Sequence, residues 1–325
     1  MVGVISPRLP AAALAVTFAL AACTGKSSTG GPSPASPAGA SPGSSSGSSS
    51  GSPAPSGLTP EAYQVTLDGA GKPVAAALGA IAKARTLRSI GQRIDRAKNA
   101  VDDAVGQLGG VQPPADIGPE HADYLAALRA MNGELDTLHV AVDGRSLCTS
   151  GAVLARLGKS GEFADLKEAG ADLAGGGDYR GGLIGLKPPK ERDRRPGNGT
   201  VLLSAVRGGR GSLTVKNGGS RDGVVSLVKG KKKAVSLYVR KKSTAKVPNI
   251  RDGSYRVYFT TGVDYDRAAH AFNRSCRFSR FDDALRYRTT YTATQVRWNN
   301  WTITLNKISG GNASTSDVNP DDFPS

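Results

Sequence analysis

The chain of 325 residues carries 42 Lys and Arg against 27 Asp and Glu, a formal net charge of +15, with three His and three Cys. So few ligands, at no defined spacing, argue against metal-dependent hydrolysis, and no Ser or Cys has a positioned partner for nucleophilic catalysis. The positive balance points instead to anionic partners.

Residues 1–22 open with Arg8 as their only charge and continue into an apolar run from Pro10 to Ala22. At 13 residues the run is short of the roughly 18 or more that a bilayer-spanning helix needs. Its basic start and small-residue end have the layout of a secretory signal. It ends in Leu20-Ala21-Ala22-Cys23, which resembles a bacterial lipobox. The resemblance implies that the Cys23 thiol receives a diacylglyceryl group, becomes the mature N-terminus and holds the protein on the outer face of the cell membrane. Two acyl chains make a durable tether, since each buried methylene adds about 0.8 kcal/mol. The other reading is free cleavage near Ala22, which leaves Cys23 an unpaired thiol of a secreted protein.

Residues 23–57 follow Cys23 with a tract of Ser, Gly, Pro, Ala and Thr in which Lys26 is the only charge. Such a tract cannot bury enough apolar surface to offset chain entropy, so a flexible linker with a root-mean-square span of about 30 Å is expected. Beyond it the texture changes twice, which predicts a helical domain over 58–190, a strand-rich domain over 191–309 and a polar tail over 310–325. Residues 58–190 hold 15 Lys and Arg against 16 Asp and Glu, whereas residues 191–325 hold 25 against 11. Nearly all of the positive charge therefore sits in the strand-rich part.

In the helical part, Thr59-Pro60-Glu61 is a start signal, with a capping hydroxyl, a proline suited to the first helical position and an acid for the positive end. Gly69, Gly71 and Pro73 predict a break or kink near Gly71. A second helix over 87–108 places Ile90, Ile94, Ala97, Val101, Val105 and Leu108 on one stripe. A third, over 119–142, repeats the spacing through His121, Tyr124, Leu125, Leu128, Met131, Leu135, Leu138 and Val142. A weaker fourth segment spans 146–173 with a break at 158–161. Short connections between such helices predict an antiparallel bundle. The run Val111-Gln112-Pro113-Pro114-Ala115-Asp116, leading into the helix with His121, resembles small helical domains of actinobacterial lipoproteins.

Three motifs in this region carry no chemistry. His121 and His139 stand 18 positions apart, roughly 27 Å along one helix, and cannot share an ion; His121 reads as a rim residue of the apolar stripe. Gly158-Lys159-Ser160 lacks the glycine five positions earlier, where Val153 stands, and the preceding strand that a phosphate loop needs. Gly43-Ser44-Ser45-Ser46-Gly47 matches a nucleophile elbow only by chance within low complexity.

The strand-rich part alternates short Val-, Thr- and Tyr-rich runs with turn signals, notably Asn217-Gly218 and Asp252-Gly253, which suit tight hairpins. Its longest loop is expected over 262–273, as a helical turn. Leu285, Tyr287, Thr289 and Tyr291 alternate with Arg286, Arg288, Thr290 and Thr292, so one face packs and the other presents guanidinium and hydroxyl groups. Lys231, Lys232 and Lys233 at a hairpin tip and Arg240 at a strand end add to the basic set, and 13 of the 18 aromatics lie here. Basic groups interleaved with aromatics suit anionic polymers; outside a bacterial membrane these are wall phosphates, acidic glycans and lipid headgroups, not nucleic acid. The bland reading makes the aromatics core and the charges a solvated face. Tyr255 to Gly262, Phe278 to Asp283 and Gly310-Gly311-Asn312-Ala313 resemble a strand-rich domain of bacterial, mainly actinobacterial, surface proteins.

With Cys23 taken by lipid, Cys148 and Cys276 form an even pair in an oxidising compartment, either bonded between the two parts or buried as separate thiols. The expected fold class is α+β, an antiparallel helical bundle followed by an antiparallel β-sandwich of jelly-roll type. The expected function is a non-catalytic, membrane-anchored envelope protein whose basic β-domain contacts anionic wall polymer or lipid, with no cofactor or metal. The bundle serves as scaffold or binds a protein partner. The alternative is a glycan-active enzyme or carbohydrate-binding module that uses loop 262–273, with Asp264, Asp266 and His270.

Overall fold

The computed structural model describes residues 57–177, 179–180, 184–206, 208–306 and 313–324. The expected signal sequence 1–22, Cys23, all of the expected linker 23–57 except Gly57, and Gly310, Gly311 and Asn312 lie outside the described residues. The fold class is α+β: helices fill the N-terminal part and largely antiparallel strands the C-terminal part. No described helix is long and apolar enough to cross a membrane.

The helices are α1 (Pro60–Ile81), α2 (Leu87–Gly109), α3 (Gly118–Asp143), α4 (Ser150–Leu157) and α5 (Gly161–Gly177). Thr59 Oγ1 accepts the Ala62 N–H at the start of α1, and Thr86 and Ser89 cap α2 reciprocally. The expected break near Gly71 does not occur. Tyr63, Leu67, Ala70, Gly71, Val74, Leu78 and Ile81 form one buried stripe straight through Pro73. Burial of the six side chains of this stripe outweighs the roughly 3 kcal/mol that an internal proline costs. α2 packs against both α1 and α3, and α5 packs against α3. His121 lies inside this core, not at its rim: Tyr63 Oη and its Nδ1 share a hydrogen bond of 2.7 Å, and the ring also bonds the Leu108 backbone. Burial lowers its pKa, which keeps the imidazole neutral.

The strands are β1 (Val201–Ser204), β2 (Gly211–Asn217), β3 (Asp222–Lys229), β4 (Lys232–Val239), β5 (Ser243–Ile250), β6 (Gly253–Asp266), β7 (Ala271–Phe281), β8 (Leu285–Tyr287), β9 (Thr289–Tyr291), β10 (Val296–Trp298), β11 (Trp301–Thr304) and β12 (Thr315–Asp317). The main sheet has the order β1-β4-β3-β6-β7-β12, antiparallel throughout, with β8 joined to the start of β6. A second sheet has the order β11-β2-β5. Leu213 and Val215 of β2 and Val247 and Ile250 of β5 share one core with Val225, Leu237, Val257 and Phe259 of the main sheet.

Three strand-level expectations are corrected. β11 runs parallel to β2, because the chain arrives there after a long excursion and no hairpin fixes its direction. Neither Asn217-Gly218 nor Asp252-Gly253 closes a hairpin; each lies where the chain crosses from one sheet to the other. The Asn217 side chain turns inward, donating to Arg221 O and Val239 O, and its Oδ1 accepts Gly219 N–H. Residues 262–273 are not a long loop: β6 and β7 continue through them as a hairpin closed at 267–270, with His270 at a φ of 51°.

The helical and strand-rich parts meet along the edge of β7. Between α3 and α4 the chain lies antiparallel to that edge, with Leu147 bridged to Arg274. Cys148 N–H donates to Asn273 O at 2.8 Å, Ser275 N–H to Ser146 O at 3.0 Å and Cys276 N–H to Arg145 O at 3.1 Å. Cys148 and Cys276 are joined by a disulfide, beside Tyr238, Tyr265 and Phe272 in a separate apolar cluster. Residues 313–324, expected as a tail, add β12 to the free end of β7. They then lay Phe323 over Tyr258 and Phe278, with ring centroids 5.6 and 5.3 Å apart, while Asp321 pairs with Arg88 of α2.

Because the disulfide spans 128 residues, chain entropy predicts that Cys148→Ala with Cys276→Ala lowers stability by about 5 kcal/mol. Urea unfolding of the oxidised protein and the double variant measures this; equal midpoints would show that edge pairing alone holds the seam.

Candidate functional site

Two charged regions stand out, and they differ in whether their charges are already satisfied. The first is the seam behind β6 and β7. Asp264, 3% exposed and at a φ of 57°, accepts four hydrogen bonds. Arg194 supplies three, from its backbone N–H at 2.8 Å, Nε at 2.7 Å and Nη2 at 3.1 Å, and Asn273 Nδ2 supplies the fourth at 2.6 Å. Asp266 accepts Arg194 Nη1 at 2.8 Å and the N–H groups of Ala268 and Ala269. Burial on its own raises both carboxyls, but these donors outweigh it and hold both below the usual range.

Asp222 repeats the pattern one strand over. Arg195 Nε and Nη2 reach it at 2.7 and 2.8 Å, Tyr238 Oη at 2.5 Å and Lys241 N–H at 2.8 Å. Burial raises its pKa, yet the guanidinium, phenol and amide together bring it down to about 2. Arg274 pairs with Glu191, and Lys159 with the same carboxylate. A carboxylate has about four acceptor positions, so Asp264 and Asp222 have none to spare for a substrate proton. A general acid needs a raised pKa, and here the shift has the opposite sign. The seam encloses a cleft of about 180 Å³ lined by Ala152, Ala155, Arg156, Pro189, Arg192 and Arg274 among others. No group of His, Cys, Asp and Glu among the described residues is placed to hold a metal ion.

The second region is the basic end of the strand-rich part. Lys231 and Lys232 are exposed at the β3–β4 tip, where Gly230 takes a φ of 62°. Lys229 Nζ lies 3.4 Å from where a β-carbon on Gly253 would stand, and Gly253 pairs with Tyr287. The tip thus shares one end of the fold with exposed Arg286 and Arg288. Lys233 is drawn partly under cover, its Nζ 5.9 Å from the Phe323 ring centre, and burial lowers its pKa. Arg240 is not part of this end. The length of β4, about 26 Å, separates it from the tip, and it donates to the carbonyls of Pro196 and Arg195 at 2.9 and 3.3 Å.

Four arginines that sequence pattern did not single out join the basic end: Arg210, Arg251, Arg256 and Arg297, all exposed. They stand in three separate stretches of chain, so no run of charge betrays them; the sheet crossings at Gly211 and Gly253 bring Arg210 and Arg251 close to Tyr287, Arg256 pairs with Val228 beside the tip and Arg297 with Thr290. Among the described residues none of Lys229, Lys231, Lys232, Arg210, Arg251, Arg256, Arg286, Arg288 and Arg297 has a carboxylate within salt-bridge distance. At the seam Arg194, Arg195, Arg274 and Lys159 hold carboxylates, while the exposed Arg156 and Arg192 of the cleft and the cations of the basic end are in no such pair among the described residues.

Asp222→Asn should cost about 3 kcal/mol near neutral pH, because it strands the Arg195 guanidinium. A depressed carboxyl stabilises the fold above its unfolded pKa and loses that contribution as pH falls from about 4 to about 2. The gap in melting temperature between the parent chain and the variant should therefore close over that window; a gap constant with pH would place the cost elsewhere. Compared with known families, curated proteins and solved structures, the chain has no significant match in any of the three.

Proposed function

We propose that this is a lipid-anchored extracytoplasmic protein, tethered through Cys23, whose basic β end contacts an anionic surface of the cell envelope. The helices act as an antiparallel bundle that forms its scaffold, and the two larger sheets as a sandwich. The parallel β2–β11 pair sets that sandwich apart from an all-antiparallel jelly roll. The observation that carries the reading is the contrast between the two charged regions. Arg194, Arg195 and Arg274 each hold a carboxylate, while the cations at the basic end have no such partner among the described residues. Unpaired cations gathered on one end repel one another, and a polyanionic surface relieves that repulsion. The buried disulfide supports an oxidising compartment and hence export.

The test is retention of the full chain carrying Cys23→Ser on two surfaces across a salt series: wall sacculi with and without their anionic polymer, and phosphatidylglycerol vesicles. Retention on at least one anionic surface, falling steeply over the first few hundred millimolar of salt as the Debye length shrinks below about 10 Å, is expected. Replacing Lys231, Lys232, Arg286 and Arg288 by Gln should lower it at least tenfold at low salt. Absence of retention on both surfaces, or retention insensitive to salt and to the four substitutions, overturns the reading.

A further inference from the structure

Past Tyr287 the chain leaves both larger sheets and folds into an arm in which β9 pairs only with β10. The register sets Tyr291 opposite Val296, Thr290 opposite Arg297 and Thr289 opposite Trp298. Alternation then gives the arm two unlike faces, Tyr291, Val296 and Trp298 on one and Thr290 and Arg297 on the other. The apolar face is bare: Tyr291 is 69% exposed, Trp298 47% and Val296 36%. Six large hydrophobic side chains are exposed among the described residues, and three of them share this one face.

Two three-residue strands cannot hold themselves together in water by their own contacts, so the arm depends on its base. There Asp252 accepts Thr289 N–H at 2.6 Å and its hydroxyl at 2.9 Å. Asn299 accepts Arg288 N–H at 2.7 Å and donates to Arg286 O at 2.6 Å. At the tip Thr292 N–H donates to Gln295 O and Gln295 N–H to Thr292 Oγ1. The arm is thus fixed in direction, and its apolar face stays open among the described residues apart from Arg210 against Trp298. Charge surrounds it on one sign only: from 284 to 316 the sequence has no Asp or Glu, Arg286, Arg288 and Arg297 are exposed, and the Arg210 guanidinium lies 5.7 Å from the Trp298 ring centre. The one carboxylate at the base, Asp252, is engaged by Thr289.

We infer that this arm inserts into the interface of an anionic phospholipid bilayer, with Trp298, Tyr291 and Val296 at the level of the headgroups and the surrounding arginines on the lipid phosphates. The inference rests on the basic-end reading above and names the surface. Trp and Tyr suit the bilayer interface, where an apolar ring body and a polar edge are both accommodated, and each nearby Arg gains from an anionic leaflet. A soluble phosphate polymer is held by the arginines alone and gains nothing from Val296 or Tyr291. A stacked sugar needs an open ring face, and one face of Trp298 already carries Arg210.

The experiment uses the full chain with Cys23→Ser in every arm, and vesicles of phosphatidylglycerol and phosphatidylcholine in equal parts, with or without bromine on the acyl chains. The chain has two tryptophans, so quenching by brominated lipid that disappears in Trp298→Phe assigns insertion to the arm. Tyr291→Ser, Val296→Ser and Trp298→Ser together should weaken vesicle binding at least tenfold, with an unchanged melting temperature as the check on folding. Vesicle binding without quenching, and untouched by the triple variant, overturns insertion and leaves the basic-end reading standing. Retention on wall sacculi with none on vesicles does the same. Retention on neither overturns both.

Discussion

The structure turns on the edge of β7. A sheet edge carries unpaired N–H and C=O groups that need a partner, and here two separate segments of chain provide one. Residues 145–148, between α3 and α4, take the middle of the edge, and β12 takes its end. The first of these makes the helical part a neighbour of the sheet through backbone hydrogen bonds, which depend little on side-chain identity. The disulfide, the Thr149–Asn273 contact and the Arg194–Asp264 pair then lock a placement that the backbone has already chosen.

That arrangement explains why the acidic residues of the strand-rich part are poor candidates for chemistry. Asp222, Asp264 and Asp266 face the seam, where a desolvated carboxylate is tolerable only if donors surround it. The fold supplies those donors from the connector, Arg194 and Arg195, and from neighbouring strands. The acids are thereby used up as counter-ions at one end. The cations at the opposite end of β4 are left without acids, so the same pairing that builds the seam creates the polarity of the surface.

Much of the helical part was legible in the sequence because a 3.6-residue apolar stripe is strong over 20 or so residues. The stripes of α2 and α3 fall where the spacing puts them, with Ala104 taking the place assigned to Val105. Pro73 misled because local propensity was outweighed by the burial of its neighbours, which no local rule weighs. In the strands the period was legible and the pairing was not. Asn217-Gly218 is a good turn dipeptide, and it does turn, but the corner leads between sheets. The length of β6 and β7 was hidden by Asp264, Asp266 and Asn273, polar residues that read as loop; Asp264 and Asn273 are buried and Asp266 half-buried because each meets a partner distant in sequence. For the basic set, Lys231, Lys232, Arg286 and Arg288 were legible as alternating or clustered charge. Arg210 and Arg251 were not, since only the sheet crossings bring them to the same place.

One consequence of the disulfide concerns covalent topology. Cys148 and Cys276 close a ring that contains α4, α5, the whole connector and β1 to β6, with most of β7 included. A single cut anywhere in that ring, the exposed stretch at 190–193 for instance, opens a circle and leaves one molecule. The helical part and the strand-rich part therefore stay together after such a nick under oxidising conditions.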